Sequence, residues 1–204
     1  MPNRNSIERS ANFGYYADIL WCCVPLMVMA CFYYGPRPLL LMLTGLFTAY
    51  VCDCLAAPLH GPNYRPHEPS SEAFAALIVL MMPASVPYGV VIAAVIMAVL
   101  IKETFGGEGH YPFHPAAVGV AVAALSWPGE VFRYPAPGTV LPLWDVPEEA
   151  LSAGMNAALS GGGLPSDTTM NLFTGAVAGP LGTGAILVIL ACALFLLVRG
   201  HLQL

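Results

Sequence analysis

Charge is what this chain has least of. Asp, Glu, Lys and Arg make up 9% of its 204 residues, against about 25% in a soluble domain. That scarcity excludes a sizeable soluble domain. The net charge of −5 and the lack of a basic cluster exclude a nucleic-acid partner. The six cysteines, Cys22, Cys23, Cys31, Cys52, Cys54 and Cys192, all fall in apolar runs, so they form no disulfide framework and read as small hydrophobes. Cys52 and Cys54 stand about 200° apart on a helix, too far round to share a metal. No third ligand accompanies His110 and His114, which leaves them weak as a metal site. Alternation of apolar and polar residues is also missing, which disfavours a β-barrel. An A-x-A cleavage site does not follow the first apolar run, so Ile19–Tyr34 reads as a retained span.

What remains is hydrophobicity, 57% of residues, in runs long enough to cross a bilayer of about 30 Å. The expected fold is an all-α integral membrane protein in one domain, residues 1–204. About six transmembrane segments are expected, some broken by glycine and proline. Residues 1–17 form a polar cytoplasmic tail, 18–127 hold five membrane segments, 128–170 form an external loop, and 171–199 hold the last segment. Residues 73–101 carry no charge and would reach about 43 Å as one helix. Pro83 and Pro87 divide them near Ala84-Ser85-Val86, which favours a broken helical hairpin over one kinked rod. With six segments and a cytoplasmic N-terminus, Arg4, Arg9, Arg65, Lys102 and Arg199 fall inside and Arg37 and Arg133 outside, in the sense of the positive-inside rule.

Residues Phe105-Gly106-Gly107-Glu108-Gly109-His110-Tyr111-Pro112-Phe113-His114-Pro115 pack glycine, proline, histidine and aromatics into one break. The glycines permit positive φ and close backbone approach. The prolines push Tyr111 and His114 out of helical conformation, so helix stops before Gly106 and restarts at Pro115. Within a membrane such backbone is tolerated only where protein buries it or water reaches it. The interruptions are therefore expected to leave unpaired polar groups facing a pocket.

This break, read from Lys102 to Ala116, resembles a motif of RnfD, a membrane subunit of Rnf electron-transport complexes, and of its relative NqrB. Their pattern is F-G-G-x-G-x-N-P-F-N-P-A, with Tyr111 and His114 here at the asparagine positions. A second stretch, Leu172-Phe173-Thr174-Gly175-Ala176-Val177-Ala178-Gly179-Pro180-Leu181-Gly182, is similar to L-F-x-G-N-x-P-G-S-x-G-E without the final acid. The prolyl break from Leu80 to Pro87 is a third, weaker match. The resemblance spans roughly residues 72–200 and implies one inverted-repeat half of the RnfD/NqrB fold plus one helix. It also implies a bacterial inner-membrane protein that works with other membrane subunits in the lipid bilayer. The implied activity is passing electrons through a bound flavin, FMN or riboflavin, and the resemblance allows coupling to Na+ or H+ movement.

The resemblance implies a cofactor site at Gly106, Gly107, Gly109, His110, Tyr111, Phe113 and His114. The family's flavin is esterified to a threonine, for which two placements stand open. One puts Met155 at that position, which removes the hydroxyl and leaves any flavin non-covalent; the other uses Thr168 or Thr169. Asp53, an acid just inside the second span, reads as an ion-path residue or as a group that snorkels to the helix end. The histidines read equally as helix-end caps, and Thr168 and Thr169 as an N-cap. No residue argues for acid–base catalysis. Two other functions remain: a small-solute permease or channel half acting as a homodimer, and a non-redox scaffold subunit.

Overall fold

The computed structural model describes residues 4–59, 69–105, 112–144, 146–147, 151–163 and 168–200. Helix α1 (Arg4–Tyr34) begins within the polar N-terminal stretch and ends at Gly35, whose φ of +78° favours glycine. Helix α2 (Arg37–Ala56) restarts with proline in its first turn. Next come α3 (Ser70–Met81) and α4 (Tyr88–Thr104), separated by the prolyl break. Helix α5 starts at Pro115, where a proline at the first position costs no hydrogen bond, and runs to Ser126. Among the described residues, Phe13–Tyr34 and Arg37–Ala56 are the two stretches long and apolar enough to cross a membrane as single helices; α3 and α5 are shorter apolar helices.

The first and last turns of the α3–α4 unit meet. Lys102 Nζ, in the last turn of α4, donates to Ser71 Oγ in the first turn of α3 at 2.7 Å. The two helices therefore run antiparallel, and residues 73–101 form a broken hairpin rather than a kinked rod. Small side chains let this hairpin pack tightly against its neighbours. Ala73, Ala75, Ala76, Ala94, Ala98 and Ala123 are buried almost completely. A Cβ on Gly119 of α5 would stand 2.5 Å from the Ala94 carbonyl of α4. Gly119→Ala is expected to force α4 and α5 apart and cost about 1–3 kcal/mol, read as a lower melting temperature in detergent. Gly89→Ala, where nothing lies within 4 Å, should leave the melting temperature at or above that of the parent.

The break does not leave its carbonyls open, contrary to the expectation from sequence. The oxygens of Leu80 and Met82 accept from the N–H groups of Gly182 and Leu181 at 2.7 and 3.0 Å. Those of Ala84, Ser85 and Val86 accept from the Arg37 guanidinium at 2.9, 3.3 and 3.1 Å. Val86 N–H itself donates to the Pro83 carbonyl at 3.2 Å. Residues 82–86 are buried, so the protein satisfies its own irregular backbone and no pocket is needed to do so.

Residues 128–163, expected as irregular loop, hold short elements: α6 (Pro128–Val131), strands β1 (Tyr134–Pro135) and β2 (Leu151–Ser152) in an antiparallel pair, and α7 (Gly154–Ser160). Helix α8 (Thr169–Thr174) follows, then an irregular glycine-rich segment, then α9 (Ile186–Val198). Outward-facing Trp21, Phe32, Phe47, Leu55 and Leu125 are exposed by two thirds or more, an apolar jacket that suits lipid rather than water.

Candidate functional site

The described residues place chemistry at opposite ends of the helices. At one end, α2, α3 and α4 bury a charged chain of contacts. Ser71 Oγ donates to Asp53 Oδ1 at 2.8 Å while accepting from Lys102 Nζ at 2.7 Å. The ammonium also lies 3.9 Å from Asp53 and 3.6 Å from Glu103. Asp53, Ser71 and Lys102 are each at most 2% exposed. Ser70 Oγ and Glu72 Oε2 are buried there with no hydrogen-bond partner among the described residues. Glu103 also lines a groove of about 510 Å³ between the ends of α2 and α4. The result is a buried Lys–Ser–Asp hydrogen-bond chain whose neighbouring carboxylate borders an open groove. Such a chain can pass a proton or attract a cation.

At the other end, β1, α7, α8 and the glycine-rich segment meet. Tyr134, Met155, Leu172, Val177, Ala178, Gly179, Pro180, Thr183, Gly184 and Ile186 line a pocket of about 200 Å³. Gly175 turns the segment with a φ of +89°, and a Cβ there would lie 2.8 Å from Gly184. Only glycine lets these two stretches of backbone touch. The N–H groups of Val177, Ala178 and Gly179 donate to no backbone carbonyl among the described residues. Tyr33 anchors the region by donating to the Thr174 carbonyl at 2.8 Å. Burial raises the pKa of the Tyr134 hydroxyl above its ordinary value, so it stays protonated at neutral pH.

Arg37 supports this end. It is 1% exposed, and besides the break it donates to the carbonyls of Pro142, Leu143 and Trp144 at 3.0–3.1 Å. Its guanidinium lies 5.2 Å from the Tyr88 ring centroid. One side chain thus ties the hairpin break to the loop beyond β1.

The residues expected to hold a cofactor do not all come together. Gly106, Gly107, Gly109, His110 and Tyr111 lie outside the described residues. Phe113 is exposed, and His114 meets the Phe74 ring edge-on at 5.2 Å, at the Asp53 end. Met155 lies at the Arg37 end, beyond the length of α5, about 18 Å away. Thr168 is exposed at the N-cap position of α8 but makes no side-chain cap bond, and Thr169 is the first residue of that helix. One flavin ring cannot touch both His114 and Met155. Among the described residues no group of three potential ligands could hold a metal ion.

Sequence reasoning missed Arg37, Ser71 and Lys102. Taken residue by residue, the two cations look like charges at the membrane boundary and nothing more. The signal that could have found them is the hairpin itself: if α2 and α4 end on the same side, Asp53 and Lys102 share a depth.

Comparison with known sequences decides the family. Residues 9–204 match the NQR2, RnfD, RnfE family. The chain belongs to this family. The D subunit of the ion-translocating oxidoreductase complex of Pseudomonas aeruginosa is 32% identical over 136 residues, 65% of this chain and 40% of the relative. Its namesake in Shewanella denitrificans is 29% identical over 122 residues, 57% of this chain and 34% of the relative. In Haemophilus influenzae the figures are 30% over 128 residues, 60% and 35%. This family member thus matches 40% or less of the length of these relatives.

The pocket fits part of a flavin. About 200 Å³ lies below the range of about 300–1,000 Å³ usual for small-molecule sites, so it would take one edge of an isoalloxazine and leave the rest outside. The N–H groups of Val177, Ala178 and Gly179 suit the carbonyl and nitrogen acceptors of such an edge. Met155 offers a thioether wall and no hydroxyl for a phosphoester.

Proposed function

We propose that this chain is a membrane subunit of an ion-translocating electron-transfer complex, with flavin contact at the Met155 pocket and ion passage at Asp53. The observation that carries it is the convergence of Met155 with Val177–Gly184 on one pocket. These are two separate stretches, one at the placement of the family's flavin anchor that this proposal adopts and one in its glycine motif. When bound, flavin supplies one- and two-electron transfer. The chain's own part is to hold it: Val177, Ala178 and Gly179 donate N–H groups, and Tyr134, Met155, Leu172 and Ile186 exclude water. Under this proposal the Arg37 end faces outward, the Asp53 end faces the cytoplasm, and six segments cross the inner membrane. Other subunits cover the exposed part of the ring.

The test uses the chain purified with its partners. Flavin is expected to be released by denaturation, with the intact chain mass unchanged, because no ester joins it to position 155. Met155→Trp fills the pocket and is expected to lower flavin occupancy at least about tenfold. A flavin-free complex, or unchanged occupancy in the variant, overturns the site. A covalent adduct on Thr169 would instead place the family's anchor there. A permease half would need the broken hairpin to line a solute path, and its buried, fully bonded carbonyls argue against that role. Passive solute flux in vesicles is accordingly expected to be absent.

A further inference from the structure

None of the 13 residues of α9 is buried. Side-chain contacts fasten it to α1 at two levels. Near its end, Arg199 pairs with Asp18 at 2.8 Å. Further along, two cysteines 170 residues apart face one another. Cys192 Sγ lies 3.6 Å from the Cys22 carbonyl, and Cys22 Sγ lies 4.0 Å from the Cys192 carbonyl. Reciprocal contacts of this kind require the two backbones to run side by side with both thiols in the same gap. Backbones this close are compatible with a disulfide, which needs Cβ atoms about 4 Å apart.

The gap is accessible. Cys22 and Cys192 line a groove of about 600 Å³ with Trp21, Pro25, Val188 and Phe195, and both are partly exposed, whereas neighbouring Cys23 is buried. Cys22 stands four residues past Asp18, about 6 Å inside the boundary marked by the Asp18–Arg199 pair. Apart from Arg199 at one mouth the groove is lined by apolar side chains and cysteines, so a lipid-soluble oxidant reaches the thiols from the bilayer.

We propose that Cys22 and Cys192 form a reversible dithiol–disulfide pair, oxidised by a membrane quinone, that fastens α9 to α1. In the net step the two S–H bonds break and one S–S bond forms. Two electrons and two protons pass to the quinone oxygens, giving the quinol. Reduction returns both thiols and leaves α9 held to α1 by the Arg199–Asp18 pair and packing alone. Because Ile186, the first residue of α9, and Gly184 line the Met155 pocket, the oxidised pair would also fix one wall of that pocket.

The full chain in lipid vesicles, treated anaerobically with a short-chain benzoquinone, tests this. The expected result is a mass loss of about 2 Da and a Cys22–Cys192 linked peptide, reversed by a membrane-permeant phosphine. Cys22→Ser and Cys192→Ser should each abolish the loss, and Cys23→Ser should keep it. Copper–phenanthroline provides a second measurement on the unmodified chain. A link with copper but not with quinone overturns quinone oxidation, and no link with either overturns the pair itself.

Discussion

Replacing Arg37 with methionine is expected to destabilise the fold by about 3–5 kcal/mol, toward the low end for three buried carbonyls left without a donor at about 1–3 kcal/mol each. The guanidinium serves six carbonyl oxygens, three in the hairpin break and three in residues 142–144. Methionine fills comparable volume but donates nothing, so the three oxygens of the buried break lose the donor that offset their desolvation. The loss should appear as a lower melting temperature in detergent. Hydrogen exchange should rise at Val86 and Leu141 together, because one side chain holds both segments. Arg37→Lys should recover only a minority of the loss, since a single ammonium cannot present the planar fork that reaches both sets of carbonyls. Melting unchanged in Arg37→Met would mean that water already serves these carbonyls, and the clamp would be abandoned.

Lys102→Met carries the second large effect, again about 3–5 kcal/mol. It removes the ammonium 3.9 Å from Asp53 and 3.6 Å from Glu103 and takes the donor from Ser71. Combining it with Asp53→Asn should restore most of the loss, because a neutral amide can still accept from Ser71 and no longer needs a cation beside it. The double-mutant cycle measures the coupling directly. Additive losses would show that Asp53 and Lys102 do not sense each other. In the reconstituted complex Asp53→Asn is expected to keep electron transfer while losing coupled ion uptake. Full uptake in that variant would remove Asp53 from the ion path.

Much of the architecture was legible in the residues. Gly35-Pro36, Pro83 through Pro87, Phe105-Gly106 and Pro115 are local signals that act through φ restriction and lost N–H donors, and helix ends or starts at each of them. The antiparallel hairpin followed from length together with Pro83 and Pro87, since 29 uncharged residues overshoot a bilayer and the prolines divide them. The family followed from three motifs in order. The short elements between Pro128 and Ser160 were not legible, because their strands of two residues are held by pairing with each other rather than by any pattern of their own.

The candidate site was legible only in halves. Met155 and the glycines of 175–182 were each singled out, but nothing local says that they share one pocket and that His114 does not. That depends on α5 running from one end of the hairpin to the other. Burial of Arg37 and Lys102 was invisible for the same reason, since a cation beside a proline or at a helix end looks identical whether its partner is water or six carbonyls.

The sequence by itself determined that this chain lives among lipid, where it breaks, and which family it belongs to, because apolar length, proline and glycine act locally. Only the tertiary structure decided which polar groups meet: Arg37 with the break, Lys102 with Ser71 and Asp53, Cys22 with Cys192. Those partners are 31 to 170 residues apart or come from three separate segments, and contacts over such separations exist only once the helices have packed.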